Sequence, residues 1–442
     1  MKHLNVYFLT LSLALLPLSV AYAGGHAEEE PMTLNDCLIY ARDHAHVNRI
    51  NRLEVEAAAA DRGICVSDLM PHMSFGSSGS LSFGRNIDPE TNTYDNKRTL
   101  GTGFGLELSL PLFDGLVRIN NLKVSEAAGL RKRHAMLAEQ DRISLEVIRN
   151  FYNITYCEAL VEQVESQLRR DSTDLAASRR SFELGTKSGA DVAELEAIVA
   201  ADRYELVNQQ NLLKKANLSL RISMGMPPSD IPLSLISGLT PDTVARHTGI
   251  LPEILEAESA VREERLNLRA AKGGYFPTIS FNAGVSTSYF RMMGIRGDAP
   301  SFSRQFRDNL GEYLGLSFSF PLFDGLATRN RVRKAVVRLR ESEVRLEQTR
   351  YKVSQATEEA RIDLESAVEE LSSARTRLEA ERIANKAMRR KFELGAASAI
   401  DLYTTSSRLA VAEANLVGKR IQRIVAEITL RYYQGYPLIC ER

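Results

Sequence analysis

The sequence predicts an α+β membrane protein in which one chain carries two copies of the same structural unit. Three observations predict this class. A seven-residue motif recurs after 210 residues. Four segments alternate between apolar and small polar residues, as membrane-spanning strands do. Two long stretches without proline repeat apolar residues every seven positions, as coiled-coil helices do. We therefore expect a transmembrane β-barrel continuous with a long helical barrel.

Residues 1–23 are expected to form a signal peptide. A short basic start precedes an apolar run from Leu4 to Val20, and Ala21-Tyr22-Ala23 is a cleavage site of the Ala-x-Ala kind. A transmembrane anchor is the alternative, but Pro17 interrupts a run that is already short for a bilayer. The mature chain is expected to begin at Gly24, where no cysteine stands to accept a lipid.

Composition excludes several classes of function. Lys+Arg and Asp+Glu are both 56, so no excess charge indicates a nucleic-acid partner. Beyond the signal, no stretch is apolar and long enough for a membrane helix, which leaves strands as the way to span a bilayer. No catalytic triad, phosphate-binding glycine loop or paired-carboxylate motif stands out. The sequence predicts no enzyme and no cofactor.

Cysteine and histidine spacing indicates no metal site. Cys37 and Cys65 are 28 residues apart, about 40 Å on one continuous helix, which is too far for a disulfide. Buried thiols are expected, and a disulfide between Cys157 and Cys440 is the alternative. His44 and His46, two apart on a helix, point in different directions.

The internal repeat divides the chain. Residues 109–115, Ser-Leu-Pro-Leu-Phe-Asp-Gly, recur as Ser-Phe-Pro-Leu-Phe-Asp-Gly at 319–325, and Phe-Glu-Leu-Gly at 182–185 recurs at 392–395. The offset is 210 in both cases, and the same offset relates Asp191 to Asp401. We predict a first repeat at 24–225, a linker or equatorial segment at 226–251 that begins with Met-Pro-Pro, and a second repeat with the carboxy-terminal equatorial part at 252–442.

Each repeat begins with a predicted β-hairpin. Two strands lie on either side of the polar loop 86–98, and two more lie near 279–286 and 314–322. Along 99–112 six of the seven even positions are apolar, and most odd positions are Gly, Ser or Thr. A soluble sandwich also alternates, but its apolar face needs a covering layer, and the rest of the chain reads as helix. Strands with an apolar outer face and a small polar lining favour a transmembrane barrel.

A very long helical hairpin follows each strand pair. Pro111 and Pro321 are expected to end the sheet ladder, while Asp114 and Asp324 cap the helix that follows. Uninterrupted helices are predicted over 117–183 and 326–393, each about 100 Å long at 1.5 Å per residue. Apolar residues repeat every seven positions in both, with Asn385 as an interruption. Shorter returning helices are predicted from 190 to about 223 and from 399 to about 433, and earlier ones over 33–69 and 252–272.

Four strands cannot close a barrel, and open sheet edges are intolerable in hydrocarbon because their backbone groups have no partner. The chain is therefore expected to oligomerise. Three copies supply twelve strands, enough for a lumen, whereas two supply eight, whose inward side chains nearly fill the interior.

The duplicated Ser-x-Pro-Leu-Phe-Asp-Gly and Phe-Glu-Leu-Gly elements, the latter with Asp six residues beyond the glycine, resemble the TolC family of outer-membrane factors. The likeness covers essentially the whole mature chain. It implies a homotrimer in the outer membrane of a Gram-negative bacterium, with a twelve-stranded barrel and a periplasmic α-helical barrel. It also implies the exit channel of a tripartite efflux pump, with a periplasmic adaptor protein and an inner-membrane transporter as partners.

The resemblance also implies roles for individual residues. It places a periplasmic gate at the starts of the returning helices and adaptor docking at the helical turns. The gate residues would be Asp401, Thr404, Asp191 and Glu194. The docking residues would be Phe182, Gly185, Lys187, Phe392, Gly395 and Ala397. The strand-to-helix transitions would be Pro111, Asp114, Gly115, Pro321, Asp324 and Gly325.

The two tips differ where the family carries charge. Ala397 stands where some members have a basic residue, and Thr404 where a second acid is expected, whereas the first copy has Lys187 and Glu194. A ring of Asp401 carboxylates would attract cations and resist closing. The alternative for Asp401 is an ordinary helix amino-terminal acid, favoured by capping and the helix dipole.

Three alternatives to an efflux channel remain at this stage. They are a type I secretion exit duct for polypeptides, a non-conducting envelope stalk or spacer, and a soluble periplasmic coiled-coil protein. The small polar strand face favours a channel over a stalk, because a stalk needs no open bore. The substrate cannot be read from the sequence.

Overall fold

The computed structural model describes residues 31–87, 93–96, 98–186, 188–229, 232–233, 235–236, 249–293 and 301–438. The predicted signal peptide, Lys187, Cys440 and much of the predicted linker lie outside these residues. The described helices are α1 (Leu34–His44), α2 (His46–Ser67), α3 (Val117–Glu183), α4 (Gly189–Met224), α5 (Pro252–Gly273), α6 (Phe302–Asp308), α7 (Ala327–Glu393) and α8 (Ala399–Tyr433). The described strands are β1 (Met32–Thr33), β2 (His72–Ser82), β3 (Arg85–Ile87), β4 (Tyr94–Asn96), β5 (Arg98–Phe113), β6 (Leu235–Ile236), β7 (Thr278–Met293) and β8 (Gly311–Ser319).

The two predicted hairpins form one antiparallel sheet in the order β2-β5-β7-β8. Strand β5 pairs with β7 from Arg98 opposite Met293 to Phe113 opposite Ile279, so the two copies meet in the middle of the sheet. Strands β2 and β8 pair on one side only among the described strands. The sheet therefore has two open edges, one from each copy.

Most of the apolar face of this sheet is not covered by the described part of the chain, and α6 packs on it beside Phe104 and Tyr289. On the edge strands, Phe75 is 71% exposed, Leu314 is 80% exposed and Phe318 is 68% exposed. A soluble sandwich would bury such side chains against a second layer. The exposed apolar face therefore agrees with a sheet that lies against lipid.

The long helices lie where the sequence predicts them. Helices α3 and α7 each have 67 residues, about 100 Å at 1.5 Å per residue. Helix α4 returns along α3, and α8 returns along α7. In α3 the heptad positions Val147 and Ile154 are fully buried, and in α7 Leu371 and Leu378 are buried against α8. None of the described helices combines the length and the apolar character that a bilayer crossing requires.

The main core lies midway along the helices, where α1, α3, α4 and α8 meet. Its largest fully buried side chains include Phe151, Tyr152 and Leu220. Cys37 and Cys157 lie in this core as free thiols, and burial raises the pKa of both. The alternative disulfide involves Cys440, outside the described residues.

Helices α2 and α5 flank the long helices in different ways. Helix α5 packs between α3 and α7, with ion pairs from Arg131 to Glu263 (2.9 Å) and from Arg350 to Glu258 (2.8 Å). Helix α2 packs along α3, with Arg62 paired to Glu126 (3.1 Å), and its start also contacts the end of α1. One side of α2 is therefore open.

Three features differ from the sequence predictions. The helix predicted over 33–69 is broken at Ala45 (φ −56°, ψ 131°), because α4 ends at Gly225 against this point. The polar loop 86–98 contains the short hairpin β3-β4. Helix α6 was not predicted, because seven residues are too few to show a period.

Candidate functional site

The strand-to-helix transitions have the same geometry in both copies. Gly115 and Leu116 both have positive φ (70° and 65°), and Gly325 and Leu326 repeat this (64° and 67°). Glycine tolerates this left-handed backbone, while a leucine there is strained. The matched pairs turn each chain segment from sheet direction to helix direction within two residues.

An aspartate satisfies a free amide at each transition, as predicted. The Arg118 amide donates to Asp114 Oδ2 (3.1 Å), and the Thr328 amide donates to Asp324 Oδ2 (2.7 Å). A hydrogen bond from the Thr328 side chain, followed by the one from the Thr328 amide, holds the pKa of Asp324 below its usual value. Each aspartate therefore fixes the first turn of a 67-residue helix.

The prediction that proline ends the ladder is wrong for the first copy. Pro111 lies within β5 opposite Ser280, and a β-bulge follows before Phe113 pairs with Ile279. The bulge lets the ladder continue past a residue that has no N–H. In the second copy β8 ends at Ser319, two residues before Pro321.

Both helical tips end in a left-handed glycine turn. In the first, Gly185 (φ 74°) donates to the Phe182 carbonyl (2.9 Å) and the Thr186 amide donates to the Ser181 carbonyl (2.8 Å). In the second, Gly395 (φ 73°) donates to the Phe392 carbonyl (3.0 Å). These bonds satisfy the last helical carbonyls, so each turn is short and rigid.

A capping box opens each returning helix. The Ser188 amide and hydroxyl both donate to Asp191 Oδ2 (3.1 and 3.0 Å), and the Asp191 amide donates to Ser188 Oγ (3.2 Å). Ser398 and Asp401 repeat this with distances of 3.1, 2.8 and 3.2 Å. The Ser398 bonds lower the pKa of Asp401, so this exposed carboxylate is ionised at neutral pH. Asp401 therefore has the capping role, and Oδ1 accepts no hydrogen bond from the described residues.

The aromatic residues of the two tips occupy different environments. Phe182 is half exposed and lies against Gly189, where an added Cβ would stand 3.5 Å from its ring. Phe392 packs into a small apolar cluster with Leu175, Leu195, Ile198 and Tyr403, which joins the two hairpins. The repeat is therefore symmetric in backbone and asymmetric in packing.

The remaining predicted gate and docking residues are distributed as follows. Glu194 is half-buried, and Thr404 is exposed and donates to the Ile400 carbonyl (2.7 Å). Ala397 is half-buried and Lys187 is outside the described residues. No hydrogen bond or ion pair in the described part of the chain joins Asp191 to Asp401. Their roles as gate and docking residues remain predictions.

Two exposed leucines at the tips were missed by the sequence reasoning. Leu184 is 80% exposed and Leu394 is 76% exposed. Each is the third residue of its Phe-Glu-Leu-Gly turn, so the repeat itself was the signal. Their apolar side chains give each tip a small exposed apolar surface.

A buried pair of acids near the tip was also missed. Asp171 on α3 and Asp202 on α4 are both more than nine-tenths buried, and the Gln167 amide donates to Asp171 Oδ2 (2.6 Å). Burial and then the neighbouring Asp171 raise the pKa of Asp202 to about 7. The pair also raises the pKa of Tyr403 on α8, in addition to burial of that residue. A proton bound here is therefore linked to packing beside the predicted gate.

In the second copy a neutral polar layer lies one helical turn nearer the tip. Asn385, which interrupts the heptad, is buried and donates to Ser406 Oγ (2.8 Å) on α8. Arg389 on α7 also pairs with Asp174 on α3 (3.7 Å), across the two hairpins. Polar contacts therefore set the register of the helices close to the tips.

The polar face of the sheet is small and almost uncharged. A chain of hydrogen bonds crosses it from Ser109 to Asn282 (3.0 Å) and from Asn282 to Ser317 (2.9 Å). In the next row, Glu107 lies opposite Gly284, and the Tyr313 ring covers that glycine so closely that an added Cβ would collide with it. Glu107 is the only carboxylate among the described residues of this face.

No group of three His, Cys, Asp or Glu side chains suited to a metal occurs in the part of the chain that the structure describes. His44 stacks on Tyr40 with ring centroids 4.1 Å apart. This contact gives His44 a structural role at the end of α1.

Comparison with known proteins shows which family shares this architecture. The family model described as outer membrane efflux protein matches residues 49–226 and 251–435. The chain is similar to the cation efflux system protein CusC of Escherichia coli K12, at 23% identity over 267 residues. That match covers 58% of this chain and 55% of the relative, so the chain spans about half the length of this curated relative.

Solved structures show the same fold over nearly the whole chain. A crystal structure of CusC superposes with a TM-score of 0.79 at 20% identity, covering 92% of this chain and 93% of that one. The CmeC outer membrane channel of Campylobacter jejuni superposes with a TM-score of 0.78 at 14% identity, covering 92% and 87%. The predicted fold class is confirmed.

Proposed function

The chain belongs to the outer membrane efflux protein family, and from this premise we propose that it is the outer-membrane exit channel of a tripartite efflux pump. The carrying observation is one sheet with an exposed apolar face, a small polar face and two open edges, continuous with two helical hairpins about 100 Å long. Such a unit suits a wall segment of a tube that crosses the outer membrane and extends through the periplasm.

The open sheet edges support assembly into a trimer. Strands β2 and β8 carry unpaired backbone groups along one side, which is not tolerated in hydrocarbon. Pairing β8 of one chain with β2 of the next satisfies both edges. Three chains then give a closed barrel of twelve strands with a polar lumen.

The helices support the same assembly. Helix α5 fills the space between α3 and α7, but α2 has a neighbour on one side only. Its open side carries Val47, Ile50, Leu53 and Ile64, which are 39–62% exposed. On α7, Val337, Val344 and Tyr351, seven residues apart, are 57–70% exposed. Placing α2 of one chain against α7 of the next covers both stripes and repeats the role of α5.

The lumen suits a passive conduit better than a stalk. Its lining consists mostly of Gly, Ser and Thr beside a few larger residues such as Tyr313, and Glu107 places one carboxylate per chain at a single level. A ring of negatively charged carboxylates around a lumen favours the passage of cations. No feature of the described lining selects one chemical substrate, so selection is assigned to the pump partners.

The tips are proposed to gate the conduit and to dock the partners. Asp401 combines an ionised carboxylate with a rigid capped turn, and three copies near the axis would repel one another when the entrance narrows. Leu184 and Leu394 give the exposed turns an apolar contact for a periplasmic adaptor protein, which in turn would connect to an inner-membrane transporter.

Conductance of the purified protein in planar bilayers tests the proposal. Asp401→Asn removes the charge and keeps a capping side chain, while Ser398→Ala keeps the charge and weakens the cap. We expect Asp401→Asn to raise the conductance of the resting channel and Ser398→Ala to leave it near the wild-type value. Absence of conductance in all three proteins would overturn the channel, whereas equal effects of the two substitutions would overturn the electrostatic gate.

A further inference from the structure

The apolar face of the sheet carries arginines at its end remote from the long helices. On β5 and β7 this face carries no charged residue until Arg98 and Arg291. Arg291 lies opposite Leu100, and Arg98 lies opposite Met293, so the two arginines are diagonal neighbours with Cα atoms about 7–8 Å apart. Both are exposed.

Helix α6 lies on the same face and adds two more arginines. Phe302 and Phe306 pack against Tyr289 (5.2 Å between ring centroids) and Phe104 (5.8 Å). These contacts direct one side of the helix to the sheet. Arg304 and Arg307, on the other side, are exposed.

Hydrogen bonds fix α6 in this position. The Gln305 side chain bonds both the amide and the carbonyl of Phe290 (2.9 Å each), and Asn309 donates to the Ser288 carbonyl (2.8 Å). Thr287 donates to the Phe306 carbonyl (2.7 Å). These bonds replace the strand partner that β7 lacks beyond the start of β8. The arginines are therefore held by a rigid element.

Among the described residues, most of this positive charge has no ion-pair partner. Arg304 pairs with Asp308 at 3.4 Å. Arg98, Arg291 and Arg307 have no ion-pair partner among the described residues, and Arg98 lies over the Phe83 ring at 5.6 Å. Arginine on the lipid face is unfavourable at the bilayer midplane and is tolerated near the interface. The cluster is therefore suited to the headgroup level, with aromatic rings beside it.

We propose that Arg98 and Arg291 form a binding site for the phosphate groups of an anionic lipid in the outer leaflet. The inference rests on the proposed membrane barrel, in which this face meets lipid. Guanidinium groups bind phosphate oxygens in a bidentate manner. Strands β5 and β7 are the two inner strands of the sheet, so assembly through β2 and β8 leaves this site open.

Lipid retention by the detergent-solubilised full-length protein tests the site. The probes are lipid A with two phosphates, its dephosphorylated form, and inorganic pyrophosphate, each measured by native mass spectrometry. We expect the wild-type protein to bind lipid A on the order of tenfold more tightly than the dephosphorylated form, because charge-assisted hydrogen bonds from guanidinium to phosphate are stronger than hydrogen bonds to a hydroxyl. The double variant Arg98→Gln/Arg291→Gln should lose this preference, and Arg345→Gln on α7, exposed and far from the sheet, should keep it.

The outcomes separate this inference from the channel itself. If lipid A and its dephosphorylated form bind equally, or if Arg98→Gln/Arg291→Gln retains the preference, the site is overturned. If pyrophosphate binds as tightly as lipid A, the site is for free phosphate and not for lipid. The same preparations are tested in planar bilayers, where the double variant should still conduct. Absence of conductance in every preparation would overturn the proposed function instead.

Discussion

Neutralising Asp202 is expected to remove a pH dependence of the helical packing near the tip. Asp202 is 8% exposed and faces Asp171, which is 6% exposed. The groups around the pair are Arg170 and Asp174 from α3, Arg389 from α7 and Tyr403 from α8. Among these, only Arg170 acts on Asp202 to lower its pKa.

The sign of the effect follows from the direction of the shift. Burial and Asp171 raise the pKa of Asp202 from 3.8 to about 7, so the folded protein holds this proton more tightly than the unfolded chain does. The stability that the proton contributes is present below the unfolded pKa and is lost as the pH rises through about 7. At about 1.4 kcal/mol per pKa unit, the upper limit is about 4 kcal/mol.

Hydrogen exchange measured by mass spectrometry reports the pH dependence of stability for individual segments of the chain. After correction for the intrinsic rate, amides of α4 around Asp202 should exchange at least tenfold faster at pH 8 than at pH 5 in the wild-type protein, well within the limit set by the pKa. Asp202→Asn should remove that difference. Glu381→Gln is the matched control, because Glu381 occupies the position of Asp171 in the second copy but lies 4.0 Å from Arg408. Equal exchange at both pH values in the wild-type protein would refute the reasoning.

Two further predictions concern packing. Val344→Asp, in the open stripe of α7, should shift the protein from trimer towards monomer in light-scattering measurements in detergent. The control Glu347→Asp, at an exposed position of the same helix, should leave the trimer intact. An unchanged trimer in the Val344→Asp variant would show that α7 is not covered by a neighbour. Gly225→Ala should destabilise by more than about 2 kcal/mol in thermal unfolding, because φ is 78° and the new Cβ would stand 2.8 Å from the His44 carbonyl oxygen. Gly129→Ala, with only Ala58 at 4.0 Å, should instead stabilise by about 0.5–1 kcal/mol, and a loss comparable to that of Gly225→Ala would contradict this.

Much of this fold can be predicted from the sequence because its helices and strands are long and repeated. Apolar residues that recur every seven positions over more than sixty residues are compatible with a helix and not with a strand. The predicted end of α3 at Glu183 is the observed one. Alternation along β5 likewise predicts which face is apolar. The caps and turns of the helical tips can also be predicted from the sequence, because they depend on local chemistry. They are formed by the capping residues Asp191 and Asp401 and the turn glycines Gly185 and Gly395.

The tertiary structure decided what depends on contacts between distant segments. The proximity of Asp171 and Asp202 requires the pairing of α3 with α4 in a specific register, and neither residue lies in a motif. The bulge after Pro111 and the position of α6 on β7 depend on strand pairing across the two copies. Local periodicity determines helices, strands and turns because these form from neighbours in the chain. Burial, charge pairing and the open edges of β2 and β8 arise only when segments hundreds of residues apart are packed together.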